Sequence, residues 1–226
     1  IACRALSTPE MPDETSLLAA LERDPLSNAE SLMRTVGVGS QASFSRLVTR
    51  AGDRIVAVGR ARARRYAAAR DVGDLGFRIP LYRVDASGDM DRIATLRPYV
   101  PDGVFVDDPA GVPRWMRGRR DNGTFDRLPV FLADARPQGY LARSFAGLHA
   151  AALHLPPDAD RWSDDEALVA LARAGADVVG DLVAGEAAAR RVIEAWAHTA
   201  DVIAPDDRSR AYPTLAEQAI AGIVPG

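Results

Sequence analysis

The chain has 226 residues, of which 47% are hydrophobic, 26% charged and 6% aromatic, with a formal net charge of -3. That is the composition of an ordinary water-soluble globular protein, and a chain of this length buries roughly 70% of its unfolded surface without needing a disulfide or a metal. No stretch approaches the ~20 apolar residues of a membrane span, no secretion pattern opens the chain, and the lone Cys3 excludes a disulfide framework and a cysteine-rich zinc site. A cytoplasmic protein of one or two domains, with no membrane partner, is expected. All 28 basic residues are arginine, which removes every mechanism that requires a lysine. The chain opens on Ile1 and closes on Ile223-Val224-Pro225-Gly226, which reads as the middle of a loop. A fragment of a longer protein is therefore expected.

Residues 1–12 carry two prolines and no periodic pattern, and read as a flexible lead. A helix is predicted from Asp13 or Thr15, with Leu17, Leu18 and Leu21 at helical spacing and a stop before Pro25. Ser27-Asn28-Ala29-Glu30 has the spacing of a capping box, in which the Ser and Glu side chains each satisfy the other's free backbone N–H. A second helix should follow, burying Leu32, Met33 and Val36 and ending at Gly37 and Gly39. Ser40 is placed to cap a third helix over 41–51, which Gly52 stops. Two strands around an arginine-rich turn should follow, from Asp53 to Gly59 and from Arg60 to Tyr66.

Helix, helix, glycine turn, polar-faced helix and basic hairpin make the pattern of a winged helix-turn-helix over residues 13–70. Charge points the same way. Residues 34–70 hold nine arginines and one acid, Asp53, whereas residues 71–226 hold 17 arginines against 24 acids. A basic segment joined to an acidic remainder suggests a nucleic-acid module joined to something else, although a basic face that is merely solvated has the same composition. On the third helix Phe44, Leu47, Val48 and Ala51 share one side. Gln41, Ala42, Ser45, Arg46, Thr49 and Arg50 share the other. The first turns of a recognition helix face base edges, where Gln pairs with adenine and Arg with guanine. Gln41 and Arg46 are thus the candidate base readers, with Ala42 and Ser45 beside them, and Arg50 is assigned to phosphate. Arg60, Arg62, Arg64 and Arg65 would grip phosphates or a narrow minor groove. Gly37-Val38-Gly39-Ser40-Gln41-Ala42 fits G-x-G-x-x-A, but a helix precedes it instead of a strand, so it is not read as a dinucleotide site.

Residues 71–79 read as a linker and residues 80–226 as a second domain. Strands are predicted at 81–85 and 93–96 around a turn at 86–89, with further strands at 103–106 and 180–184. Residues 107–123 read as a long loop, in which Arg117, Arg119 and Arg120 form an anion-binding candidate weighed against plain solvation. Helices are predicted over 141–153, after a second capping box at Ser163 and Glu166 as far as Ala174, over 186–197 and over 215–221. The class expected is α+β with a small antiparallel sheet and several helices. No metal ligands and no catalytic residues are assigned. His149, His154 and His198 lack a metal-binding spacing, and the pairs Asp107-Asp108, Asp164-Asp165 and Asp206-Asp207 read as caps and turns.

Leu81-Tyr82-Arg83-Val84-Asp85, the run Leu128-Pro129-Val130-Phe131-Leu132-Ala133-Asp134-Ala135-Arg136-Pro137-Gln138-Gly139-Tyr140-Leu141-Ala142-Arg143, Trp162-Ser163-Asp164-Asp165 and Gly180-Asp181-Leu182-Val183-Ala184-Gly185-Glu186 resemble the N-terminal part of HipA-family serine/threonine kinases. With the winged helix in front, the chain is similar to the YjjJ-type branch of toxins, over nearly its whole length. The resemblance implies that the catalytic machinery lies beyond this region, where a Ser- and Gly-rich phosphate loop and a Lys should follow a stretch like Tyr212-Pro213-Thr214-Leu215-Ala216. No catalytic residue of that family maps onto a position here. ATP and Mg are accordingly expected only for a full-length parent, and no cofactor is expected in this chain. The implied partners are double-stranded DNA, a HipA-like kinase core downstream or in trans, and a second copy in a homodimer. Three readings stand: the DNA-binding and N-lobe portion of a HipA-like kinase, a complete non-catalytic regulator or antitoxin, and a protein-interaction module that binds no DNA.

Overall fold

Asp13 opens the first helix in the computed structural model, which describes residues 13–85, 87–107, 112–177, 180–197, 203 and 205–222. Its carboxylate accepts the Ser16 N–H at 2.8 Å, satisfying one of the free donors at the start of α1 (Glu14–Arg23). Helix α2 (Ala29–Val36) is capped by Asn28, whose side chain accepts the Ser31 N–H at 2.8 Å. This corrects the capping box expected at Ser27 and Glu30. Ser27 is buried, its hydroxyl donates to the Asp24 carboxylate, and its carbonyl accepts the Tyr66 N–H at 2.9 Å. With Ser27 committed to a strand-like bridge with Tyr66, the cap moves one residue on. Gly37, at φ 71°, ends α2 in the left-handed conformation. Ser40 then caps α3 (Gln41–Ala51), accepting the Ser43 N–H at 3.1 Å.

The chain next forms a two-stranded antiparallel ribbon, β1 (Ile55–Val58) and β2 (Arg65–Ala68), in register from Ile55 opposite Ala68 to Val58 opposite Arg65. Leu17, Leu21, Leu32, Phe44, Leu47 and Ile55 close the core of the three helices and the ribbon. Each contributes roughly 1.5–3 kcal/mol on burial. The Phe44 and Tyr66 rings meet edge to face at 5.4 Å between centroids.

A five-stranded antiparallel sheet follows, built from β3 (Ile79–Val84), β4 (Met90–Tyr99), β5 (Gly103–Asp107), β6 (Thr124–Phe125) and β7 (Leu182–Ala184) in the order β6-β5-β4-β3-β7. Strand β4 runs longer than the pattern at 93–96 predicts. It continues through Pro98, whose carbonyl accepts the Arg70 N–H at 2.9 Å. Helices α4 (Val130–Ala133) and α6 (Asp164–Ala174) pack Leu132, Leu168 and Leu171 onto Leu81, Leu96 and Val106 of the sheet. The capping box of α6 is present: the Ser163 N–H donates to Glu166 at 2.7 Å and the Glu166 N–H to the Ser163 hydroxyl at 3.2 Å. Helix α5 (Gly139–His149) starts and stops earlier than predicted. Beyond it the chain turns, with His154 at φ 56°. Phe145 of α5 packs with Trp162, Ala170 and Ala174 in a separate small core.

The three-helix unit is fastened to the sheet. Val56, Val58 and Ala67 of the ribbon pack on Tyr99 and Phe105. The Val100 N–H donates to the Ala68 carbonyl at 3.0 Å. Buried Arg97 of β4 donates to the carbonyls of Asp53 at 2.9 Å and Ile55 at 3.1 Å. Between them, in residues 71–79, Val72 is buried in the sheet's core. A Cβ on Gly73 would lie 2.4 Å from a Val169 methyl, so any side chain there would have to displace Val169.

The chain divides into two compact units between Arg191 and Val192. Helix α7 (Glu186–Ala197) crosses that boundary. The second unit also holds α8 (Arg208–Ile220), which begins seven residues before the helix predicted from Leu215. It passes through Pro213, which gives up one helical hydrogen bond because it has no N–H. Residues 1–12, Asp108 and His198 fall outside the described residues.

Candidate nucleic-acid interface

Helix α3 sorts its side chains cleanly. Phe44, Leu47 and Ala51 are buried, while Gln41, Ala42, Ser45, Arg46, Thr49 and Arg50 are exposed. Ala42, Ser45, Arg46, Thr49 and Arg50 line a shallow groove that continues onto Gly37, Val38 and Gly39 of the turn before the helix. Gln41 stands at the first helical position, beside this groove and outside its lining. Arg46 is held by a residue that the sequence reading left without a role: its guanidinium donates to the Ser43 hydroxyl at 3.3 Å, and Ser43 in turn accepts from the Ser40 hydroxyl at 3.0 Å. The spacing of 40, 43 and 46, one helical turn each, is the signal that would have found it. Arg50 lies 3.8 Å from Glu14 with its side chain still 67% exposed, a pairing that water largely screens.

The ribbon presents the second group of arginines. Gly59, at φ 79°, starts the turn, and a Cβ there would sit 3.1 Å from the Ala63 carbonyl oxygen. Arg60, Arg62 and Arg64 are exposed on this turn, while Arg65 is half-buried. Arg64 stacks over the Tyr66 ring with its guanidinium carbon 5.9 Å from the centroid. Arg65 folds back, donating to the Arg64 carbonyl at 3.2 Å and the Arg62 carbonyl at 3.5 Å. Its donors therefore brace the turn more than they face solvent.

Several arginines elsewhere meet acids. Arg70 pairs with Asp165, and Arg78 with Asp53 at 3.1 Å and Asp107 at 3.4 Å. Arg83 pairs with Asp181 at 2.9 Å, and Arg127 and Arg136 converge on Asp164 at 3.0 and 3.4 Å. Among the described residues no such pair is formed by Arg46, Arg60, Arg62, Arg64 or Arg65, so α3 and the ribbon turn carry a set of cations without acidic partners.

The same pairs account for the aspartate doublets. Asp107, Asp164 and Asp165 hold arginines, and Asp207 holds Arg210. His149 stacks against Phe145 at 4.6 Å, and His154 lies exposed in a turn. Among the described residues no three His, Cys, Asp or Glu side chains converge to hold a metal ion, and no helix is long and apolar enough to cross a membrane.

The fold is α+β, with a three-helix and ribbon unit set on an antiparallel sheet. Residues 75–193, from just before β3 into α7, match the family model described as the YjjJ-like toxin, middle domain. The chain belongs to the YjjJ-like toxin family. It is 38% identical over 188 residues to Toxin YjjJ of Escherichia coli (strain K12), an alignment covering 83% of this chain and 40% of that protein. The chain thus spans about two fifths of that relative's length. No solved structure matches it.

Proposed function

We propose that residues 13–70 are a winged helix-turn-helix that reads duplex DNA, and that the chain is the DNA-binding and N-lobe portion of a HipA-like toxin kinase. The observation that carries the first part is the run of exposed arginines without acidic partners among the described residues, Arg46 on the open face of α3 and Arg60, Arg62 and Arg64 on the ribbon turn. Topology supports it: a winged helix would have the order helix, bridging segment, helix, helix, strand, strand, and residues 13–70 follow that order with Ser27 joined to β2. In this reading α3 enters the major groove, Gln41 and Arg46 face base edges, and Arg50 takes a phosphate. Arg60, Arg62 and Arg64 follow the adjoining backbone or minor groove.

The second part rests on membership of the toxin family and on the sequence resemblance to HipA kinases. Phosphoryl transfer needs a cradle for phosphates, a metal held by Asp and Asn, and a base-like Asp. The sequence has no Lys to hold the phosphates of ATP. Any such chemistry belongs to the remaining length of a full-length parent, and DNA binding is this chain's share. Incubated alone with labelled ATP, the chain should take up no phosphate. Transfer of label onto the pure chain would refute this division of labour.

The test of the DNA reading is to select a preferred site from a random duplex library and to compare Arg46→Ala with the unaltered protein. The substitution should cost about 1–3 kcal/mol on the selected site and less on random duplex. Equal losses on both would reassign Arg46 to phosphate, and failure to bind any duplex at low salt would reject the proposal.

A further inference from the structure

A second basic surface lies outside the candidate interface. Between Val112 and Phe125 the sequence carries Arg114, Arg117, Arg119 and Arg120 against a single acid, Asp121. Asp121 is shared at 3.8 Å by Arg114, whose side chain is 85% exposed, and Arg117. Arg119 and Arg120 are exposed, and neither has an ion-pair partner among the described residues. Trp115 is 64% exposed, an unusual state for the largest apolar side chain. With Arg114, Arg119, Arg120, Phe125 and Val130 it lines a groove of about 810 Å³, to which Asp126 adds one carboxylate against three arginines.

The loop is an ordered platform. The Gly123 N–H donates to the Arg117 carbonyl at 2.8 Å, and the Asp121 N–H to the Gly118 carbonyl at 3.1 Å. Gly118, at φ 73°, approaches β6 so closely that a Cβ would lie 2.6 Å from the Thr124 carbonyl oxygen. Its position relative to the ribbon is also defined. Thr124 pairs with Phe105, and Phe105 packs against Val56 and Val58 of β1. The Tyr99 hydroxyl, from the same cluster, donates to the Phe125 carbonyl at 3.0 Å. The arginine loop is therefore built on the strand next to the one that the arginine-bearing ribbon covers.

We infer that the Arg114–Arg120 loop is an auxiliary phosphate-binding surface that holds the backbone of duplex DNA flanking the site read by α3 and the ribbon, with Arg119 and Arg120 as its principal contacts. This rests on the DNA reading of residues 13–70 and extends it to the sheet. Phosphate is the ligand class because the loop displays exposed cations, two of them without an acidic partner among the described residues, beside the Trp115 ring. Duplex DNA is the source because the loop and the ribbon are both anchored to β5 and its neighbour β6, so a duplex held by the ribbon is the polyanion that the loop is placed to meet.

The experiment measures affinity for a random duplex of about three helical turns against salt concentration, using the intact protein and following Trp115 emission. Arg119→Gln with Arg120→Gln should lower the slope of log K against log salt by about 1.8, since each lost phosphate contact on B-DNA removes about 0.9. It should also remove the change in Trp115 emission on binding, a signal that Trp115→Phe identifies. Arg119→Lys with Arg120→Lys should preserve the slope and emission change, which excludes misfolding as the cause of the Gln result. An unchanged slope in the Gln pair, with a reduced slope for Arg60→Gln, Arg62→Gln and Arg64→Gln together, overturns the extension and leaves the DNA reading standing. Absence of salt-dependent binding by the unaltered protein overturns both.

Discussion

Arg97 shows what one side chain does for the joint between the three-helix unit and the sheet. It is a cation buried on β4, and burial first, then the neighbouring Arg78, pushes its pKa down, against the pull of Asp53 and Asp107. It donates to two carbonyls at the start of β1 and lies 3.6 Å from the Asp53 carboxylate. Removing it leaves buried acceptors without donors, and hydrogen bonds to a charged group contribute about 1.5–3 kcal/mol. Arg97→Ala should therefore cost about 1.5–3 kcal/mol of stability, read as a lower urea midpoint. A loss under ~0.5 kcal/mol would mean that water replaces the guanidinium without cost. Tyr99, two residues on, gives a pH test. Burial, reinforced by Asp126 and opposed by Arg120, pushes its phenol up to about 12 from 10.0. A raised pKa favours the protonated form in the folded state, so its contribution is complete below pH 10 and is lost as pH rises toward 12. The unaltered protein should lose stability across that window, and Tyr99→Phe should lose less. Identical alkaline curves for the two proteins would contradict this account.

At the scale of elements, the caps separate what was legible from what was not. Ser40 and the Ser163–Glu166 pair were readable because a cap and its partner lie three residues apart, and local spacing is what a sequence displays. Ser27 has equally good spacing to Glu30, but its carbonyl is claimed by Tyr66, a residue distant in sequence, and Asn28 caps in its place. Asn28→Ala should cost about 1 kcal/mol and Glu30→Ala under ~0.5 kcal/mol in thermal unfolding, the reverse of what a capping box demands. Strand β6 is two residues long and carries no alternation of its own. It exists because β5 offers it an edge. Helix α8 runs through Pro213, a residue that reads as a boundary, and the early end of α5 follows from the turn around His154. For the candidate interface, the exposed face of α3 followed directly from periodicity. The inward fold of Arg65 and the Ser43 support for Arg46 depended on turn geometry and rotamers that periodicity does not encode.

For the whole molecule, the overall charge of -3 conceals a division that the structure makes physical. Downstream of the ribbon, Asp107, Asp121, Asp164, Asp165 and Asp181 hold arginines of the sheet, its helices and its loops. Arg46 of α3 and the arginines of the ribbon turn have no acidic partner among the described residues, and Arg50 reaches only Glu14. Held apart in this way, like charges are a cost to folding that an anionic ligand removes. The most direct test of that claim is the salt dependence of duplex DNA binding by the intact protein beside Arg60→Gln, Arg62→Gln and Arg64→Gln combined. The account predicts binding that weakens steeply with salt, and a slope smaller by about 2.7 in the triple variant, at about 0.9 per phosphate contact. A slope that the three substitutions leave unchanged, or no binding at low salt, would contradict it.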